Sequence, residues 1–128
     1  SLTKDTTTIK EFSKGKKFIL LDFWGTWCVP CLELLPNLKK FHQENDNVSI
    51  ISIALDESID VVKDYSEKEA MYWNHAYVDR NNRKGIITDL RVESYLTFIL
   101  LNDKLKILYK GAGETALENI EKILRSKK

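Results

Sequence analysis

Residues 18–31 read FILLDFWGTWCVPC, and this stretch decides the fold of the 128-residue chain. The apolar run Phe18 to Trp24 comes first, and the only two cysteines, Cys28 and Cys31, follow it two residues apart. A run that is apolar on both faces is typical of a central strand. Beyond Cys31, apolar residues recur at helical spacing. The pattern therefore predicts a buried strand, a turn that carries the cysteine pair, and a helix.

The cysteine pair predicts redox chemistry. Cys28 would stand exposed at the helix start, where unpaired N–H groups and the macrodipole favour a thiolate. It would attack a substrate disulfide, and Cys31, one turn deeper, would then attack Cys28 and release the reduced substrate; the reverse steps oxidise a dithiol. A structural or metal-binding pair is the alternative. A mononuclear metal site would need histidines, and His42 and His75 show no ligand spacing, so we predict no metal.

Composition limits the class of protein. The length fits a single domain, residues 1–128, and 43% hydrophobic with 30% charged residues is typical of a globular protein. A net charge of +1 gives no electrostatic reason to expect nucleic acid as a partner. No apolar run approaches the roughly 20 residues of a membrane span. Because the chain starts at Ser1 without a Met, we expect a mature or trimmed form.

Apolar periodicity and turn residues predict the other elements. A short helix opens at a capping box, Thr8 to Glu11, and ends at Gly15. The helix that follows the cysteines runs from Val29 to about Asn45, with a kink at Pro36. The remaining predictions are strands at 48–55, 76–78 and 96–101, helices at 58–70 and around 86–90, a hairpin arm at 105–109, and a last helix opened by a capping box at Thr115 to Glu118. This order predicts an α/β fold with a mixed sheet, helices on both faces and an antiparallel edge hairpin.

The stretch from Phe23 to Cys31, with Pro36 a turn and a half later, resembles the thioredoxin fold. More narrowly it is similar to the extracytoplasmic thiol-disulfide oxidoreductases of the TlpA/ResA-like branch, of which Bacteroidetes carry many. The resemblance covers nearly the whole chain. It implies an enzyme without an organic cofactor that exchanges the Cys28–Cys31 pair with protein dithiols and disulfides, with reduction as the expected direction.

The resemblance also implies a setting for the protein. We expect a monomer in the periplasm or anchored to a membrane and facing the periplasm, while a cytoplasmic location stays open. Turnover would require an upstream electron donor, which for exported proteins is usually bound to the membrane.

Asp22 lies in the middle of the apolar strand, where an acid is costly to bury. The resemblance implies that it accepts the proton of Cys31 and has a raised pKa. The alternative is an aspartate at the strand end that bonds to backbone. On the substrate side, Trp27 is predicted to shield the disulfide and offer a flat apolar surface. Val29 and Pro30 are further candidates for contact with substrate, and together they help to set the redox potential.

Leu96 departs from the family pattern, because the family places a cis-proline at this position, opposite the disulfide. A cis bond before leucine would cost about 3–4 kcal/mol, so we expect a trans bond, a rearranged loop and sulfurs that lack their shielding ring, although the rest of the fold could hold the cis form. In the family this loop pairs by backbone with the substrate, so the resemblance makes Leu96 a candidate for substrate contact. The residue is either natural, with diverged substrate handling, or engineered, or a sign that the domain binds partners with weak redox turnover. Tyr95 and Thr97 flank the position and are candidates either for substrate contact or for packing.

Four further features have predicted roles or exclude a class of site. Trp24 is predicted to be a packing residue, and Glu33 a solvated surface acid. A thiol peroxidase is disfavoured, because no basic residue precedes Cys28 to polarise a peroxide. A metal or iron–sulfur centre shared by two chains stays open.

Overall fold

The structure is a computed structural model that describes residues 9–79 and 96–127. Residues 9–12 are helical and precede the first described strand. The strands are β1 (Phe18–Trp24), β2 (Val48–Asp56), β3 (Asn74–Asp79), β4 (Thr97–Asn102) and β5 (Ile107–Ala112), and the helices are α1 (Val29–Glu33), α2 (Leu35–Glu44), α3 (Ile59–Lys68) and α4 (Gly113–Ser126).

The five strands form one mixed sheet in the order β3-β2-β1-β4-β5. The neighbours β1 and β2 are parallel, as are β2 and β3, whereas β4 runs antiparallel to both β1 and β5. Every residue of β1 is buried, because strands flank it on both sides and helices cover it. The predicted mixed sheet, the parallel first pair and the antiparallel edge hairpin are confirmed.

Alternate residues of β1 build two separate cores. Phe18 and Leu20 pack with apolar side chains of α2 and α4, among them Leu38 and Ile120. The intervening residues Ile19, Leu21 and Phe23 face the opposite side, where Ile9 of the N-terminal helical segment covers them. Because side chains of a strand alternate between faces, a run that is apolar throughout requires cover on both. The prediction of helices on both faces of the sheet is therefore confirmed.

The helix that carries the cysteines is interrupted, as Pro36 predicts. It consists of α1 and α2 in sequence, with Leu34 between them as the cap of both. Pro36 lies in the first turn of α2. Because proline has no backbone N–H, it cannot donate a hydrogen bond to the last turn of α1. The interruption leaves α1 as a short helix that contains Cys31 and has Cys28 at its N-cap.

Two sequence predictions near the C-terminus are wrong in position. The last helix starts at Gly113 and not at the capping box of Thr115, because the Gly113 N–H donates to the Leu96 carbonyl oxygen at 3.1 Å and fixes the helix start against β4. The second hairpin arm starts at Ile107 and not at Leu105, because the turn is longer. Its shape is set by the Asn102 Oδ1, which accepts from two backbone N–H groups, both at 2.9 Å. The predicted helix around 86–90 and Thr8 lie outside the described residues.

Candidate functional site

The candidate site lies where β1 ends and α1 begins. Cys28 is the N-cap of α1, in extended backbone, and forms a disulfide with Cys31 across a Cα–Cα distance of 5.3 Å. The backbone N–H of Cys31 also points to the Cys28 Sγ, at 3.3 Å. A helix N-terminus that directs an N–H at a sulfur favours a thiolate there once the disulfide is reduced.

Both sulfurs are shielded from solvent in this oxidised form. Cys28 is 7% exposed and Cys31 is 8% exposed, so the expectation that Cys28 stands exposed is wrong. The physical reason is packing: the pair belongs to an apolar cluster with Trp24, Val62 and Met71, among others. A substrate must therefore approach the disulfide over the side chains that border it.

The accessible border of the pair consists of residues inside and beside the motif. Val29 is 60% exposed and Pro30 is also exposed, while Trp27 is half-buried against the cysteine cluster. Trp24, in contrast, is 3% exposed and its ring lies 5.8 Å from that of Tyr65, which confirms the packing interpretation. The positions of Trp27, Val29 and Pro30 are compatible with the predicted contacts to substrate, which stay predictions.

The loop before Cys28 is tied to the end of β2. The Asp56 Oδ2 accepts hydrogen bonds from the Thr26 N–H and the Thr26 hydroxyl, both at 2.8 Å. The Trp27 indole N–H donates to the Leu55 carbonyl oxygen at 2.8 Å. At Gly25 there is no room for a side chain, since a Cβ would lie 2.8 Å from the same carbonyl oxygen and closer still to the Trp27 ring. These contacts hold Cys28 in place at the helix start.

Asp22 is buried beneath the cysteine pair with one side-chain hydrogen bond. It is 3% exposed, and its Oδ2 accepts from the Ser52 hydroxyl at 2.7 Å. Burial raises the pKa of Asp22 to about 7, and the bond from Ser52 opposes that rise by stabilising the carboxylate. The acid lies within β1 and its bond is to a side chain, unlike the alternative of a strand-end aspartate bonded to backbone.

A small cavity connects the buried acid with the second cysteine. Its volume is about 10 Å³, close to what one water molecule requires, and Asp22, Cys31 and Leu96 are among its lining residues. Trp24 also lines it, and within the described part of the chain the Trp24 indole N–H has no hydrogen-bond partner. The cavity thus brings the Asp22 carboxyl and Cys31 to the same small space, as the predicted proton transfer requires.

Leu96 occupies the wall opposite the helix. Its φ is 67°, a left-handed value that is strained for a leucine. Its N–H donates to the Phe23 carbonyl oxygen at 2.9 Å, and its own carbonyl oxygen accepts from Gly113. The side chain packs against the cysteine cluster, so Leu96 helps to cover the cysteines although the proline ring of the family is absent. The bond between Tyr95 and Leu96, and hence its predicted trans form, lies partly outside the described residues.

The two neighbours of Leu96 differ in what the structure shows. Thr97 is 4% exposed and pairs with both Phe23 and Ala112 inside the sheet. Burial leaves its side chain almost no surface for a substrate and favours the packing interpretation, while contact with substrate stays a prediction. Tyr95, the other candidate for substrate contact, lies outside the described residues.

We expect Leu96→Pro to lower the free energy of unfolding by about 3 kcal/mol or more. Proline fixes φ near −65° and has no N–H, whereas Leu96 has φ of 67° and uses its N–H. Urea denaturation gives the measurement. Leu96→Gly is the matched control, since glycine adopts positive φ without strain, and we expect it to stay within about 1 kcal/mol of the parent. A proline variant as stable as the parent would contradict this account of the loop.

Sequence reasoning missed two polar residues of β2. Ser52 and Asp56 are 0% and 5% exposed, and they contact Asp22 and the loop before Cys28 respectively. The signal that identified Asp22, a polar residue in an apolar strand, was also present at both. Without the pairing of β1 with β2, nothing in the sequence says which groups they face.

Two further observations concern binding and location. Within residues 9–79 and 96–127, no three His, Cys, Asp or Glu side chains come together as ligands of a metal ion would. None of the helices in the same ranges combines the length and apolar character that crossing a bilayer requires.

Comparison with known proteins gives consistent matches. A thioredoxin-like family model matches residues 15–107. The thioredoxin-like protein YneN of Bacillus subtilis is 32% identical over 112 residues, which is 81% of this chain and 60% of that protein. The thiol-disulfide oxidoreductase ResA of Bacillus thuringiensis is 29% identical over 119 residues, 91% of this chain and 66% of ResA. The chain thus spans about 60–66% of the length of these two relatives.

Among solved structures, a thiol-disulfide oxidoreductase from Bacteroides fragilis is similar to this chain. It superimposes with a TM-score of 0.67 and 26% sequence identity over 84% of this chain and 81% of its own. Together with the family match, this superposition confirms the predicted fold class.

Proposed function

Because the chain belongs to the thioredoxin-like family, in its TlpA/ResA-like branch, we propose that it is a thiol-disulfide oxidoreductase acting on protein dithiols and disulfides. The observation that carries the proposal is the Cys28–Cys31 disulfide at the start of α1, above the buried carboxyl of Asp22. Its two cysteines lie at the N-cap and in the first turn of α1, so their sulfurs stay within reach of each other along one helical turn.

The reductive half-reaction follows from the positions of the two sulfurs. The Cys28 thiolate, which the Cys31 N–H stabilises, attacks one sulfur of a substrate disulfide and expels the other as a thiolate. Cys31 then attacks the Cys28 sulfur of the mixed disulfide. The second substrate sulfur leaves as a thiolate, and the substrate has gained two electrons while Cys28 and Cys31 have become the disulfide seen here.

Asp22 supports the second step of this reaction. Cys31 must lose its proton before it can attack. Asp22 lines the same cavity, and of the described residues it is the ionisable group that the sheet contributes there. A pKa of about 7 makes the carboxylate a competent acceptor near neutral pH. In the opposite direction the protonated acid returns the proton to Cys31 as that sulfur leaves.

The proposal also covers the location of the protein, the direction of the reaction and its electron donor. We place the protein outside the cytoplasm, with reduction as its direction and an upstream electron donor that restores the dithiol, as the resemblance to the branch implies. We further expect a monomer whose mechanism uses no organic cofactor and no metal.

Redox titration in glutathione buffers tests the function. Trp24 shares a cluster with both cysteines and Trp27 packs against it, so their fluorescence should change with a reversible two-electron transition. We expect a midpoint below the glutathione poise of about −240 mV, as for a reductant. The control is the double variant Cys28→Ser/Cys31→Ser, which should show no transition. A native protein without a reversible transition would instead favour a binding module with weak turnover.

A further inference from the structure

A chain of two hydrogen bonds leads from the interior acid toward the surface. The Trp73 indole N–H donates to the Ser52 Oγ at 2.7 Å, and the Ser52 hydroxyl donates to the Asp22 Oδ2, also at 2.7 Å. Ser52 is 0% exposed, whereas Trp73 is only half-buried. The proposed proton transfer involves only Asp22 and Cys31, and it leaves the hydrogen bonds from Ser52 and Trp73 without a function.

Strand pairing places the three groups in line. Asp22 of β1 is in register with Ser52 of β2, and Ser52 is in register with His75 of β3. Trp73 directly precedes β3, which lets its indole reach back to β2. The ring is held from two sides, with ring-centroid distances of 5.3 Å to His42 and 6.1 Å to His75. The donor is therefore fixed by packing and does not depend on a flexible side chain.

The chemistry of the donors fixes the direction of the chain. An indole N–H can only donate, so the Ser52 oxygen must be its acceptor. The Ser52 hydroxyl has a single proton, which it does not share with the indole, so it donates that proton to the Asp22 Oδ2. Bonds in such a series polarise one another, so the indole strengthens the bond that the carboxylate receives. Both bonds favour the ionised form of the acid.

We propose that Ser52 and Trp73 are positioning residues that keep Asp22 ionised for proton transfer with Cys31. The inference rests on the proposed function, because it concerns the same proton. Neither residue is among those that line the cavity with Asp22 and Cys31, although Trp73 packs against the cluster that contains the cysteines. Each acts through the carboxyl of Asp22.

Few other described groups around Asp22 could stabilise its ionised carboxylate. Within the described ranges, Cys31 and Tyr65 line the cavity with Asp22, His75 is in register with Ser52, and His42 contacts the Trp73 ring. Burial holds the pKa of His75 below its ordinary value, so it is neutral at pH 7. The helix α2, the strand β4 and the helix α4 present apolar side chains there. No described cation faces the acid, and the hydrogen bonds must oppose the cost of burial.

The first test is titration of the Asp22 carboxyl by carbon-13 NMR in the parent and in Ser52→Ala. We expect its pKa to rise in the variant and the resolving step at pH 7 to slow about fivefold, with formation of the mixed disulfide unchanged. Ser49→Ala is the matched control, because it removes another buried hydroxyl of β2, one that bonds to the Phe12 carbonyl oxygen. It should leave the titration of Asp22 unchanged.

The second test is a double-mutant cycle with Trp73→Phe. This change keeps an aromatic ring but removes the indole N–H, so the pKa of Asp22 should rise by less than in Ser52→Ala. In the Ser52→Ala background the same change should have no effect, because the link between the indole and the acid is already broken. If Ser52→Ala does not fold, the single change at the half-buried Trp73 carries the test.

The outcomes separate this inference from the proposed function. An Asp22 titration that is the same in the parent, Ser52→Ala and Trp73→Phe overturns the inference, whatever the activity. A titration that moves as expected, together with a resolving step unaffected in both Ser52→Ala and Asp22→Asn, supports the hydrogen-bond chain as the control of the acid. That result would reject the role of Asp22 in catalysis.

Discussion

Replacing Asp22 by Asn should make the protein more stable at pH 8 while slowing its resolving step. The stability gain follows from the pKa of Asp22, which is about 7 in the folded protein against an ordinary value of 3.8. Below about pH 4 the folded and unfolded states both hold the proton. As pH rises from 4 to 7, the unfolded chain releases it while the folded protein retains it, so the free energy of unfolding falls.

The full loss is reached once pH exceeds the folded-state pKa of about 7, where the carboxylate must be buried in its charged form. At about 1.4 kcal/mol per pH unit, the difference between the two pKa values corresponds to a loss on the order of 4 kcal/mol. Asn carries no charge, and its amide oxygen can still accept from Ser52. The stability difference between Asp22→Asn and the parent should therefore be small at pH 4 and largest near pH 8.

Urea denaturation of the oxidised proteins across this pH range measures the effect. Asp56→Asn is the control, because Asp56 is also buried but accepts three hydrogen bonds, two from Thr26 and one from the Glu57 N–H. We expect that variant to be destabilised, by about 1–3 kcal/mol, since an amide nitrogen cannot accept such bonds. A stability gain for Asp22→Asn that does not vary with pH would contradict the assigned titration.

The kinetic half of the prediction concerns only the second step. Without a carboxylate near Cys31, release of the substrate from the mixed disulfide should slow by about 10- to 100-fold at pH 7.5. The attack by Cys28 should keep its rate, because the Cys31 N–H that stabilises its sulfur is unchanged. Rapid-quench trapping of thiols separates the two steps. Equal slowing of both would reject the role of Asp22 as the proton acceptor of Cys31.

The second large effect is expected at the cysteines themselves. Cys28→Ser should abolish turnover, by a factor of about 10³ or more, because a hydroxyl at neutral pH does not attack a disulfide. Cys31→Ser should retain the attack and accumulate a mixed disulfide through Cys28, since no second sulfur resolves it. The two variants remove the same disulfide, so they are matched for the loss of the Cys28–Cys31 bond.

Mass spectrometry of each variant after incubation with a disulfide-containing protein distinguishes the two sulfurs. A covalent adduct with Cys31→Ser and none with Cys28→Ser is the expected result. The reverse pattern would assign the nucleophile to Cys31 and would conflict with the N-cap position of Cys28. Adducts with both variants would show that the fold does not distinguish the two cysteines.

Local sequence patterns determined much of this protein. The apolar run of β1, the helical spacing after Cys31 and the interruption at Pro36 depend on neighbours within one or two turns, so they could be predicted from the chain alone. The cysteine pair and Asp22 belong to the same local stretch. Their chemistry was evident for that reason, whereas the exposure of Cys28 was not, because packing against distant residues such as Val62 and Met71 decides it.

Only the tertiary structure decided which partners these residues have. Asp22 meets Ser52, and Thr26 meets Asp56, in each case 30 residues apart, because β1 and β2 pair in one register. Trp73 reaches Ser52 from the position just before β3. The conformation of Leu96 depends in the same way on its bond to Phe23. A shift of one residue in strand pairing would send each side chain to the opposite face, and register between distant strands is not written in any local pattern.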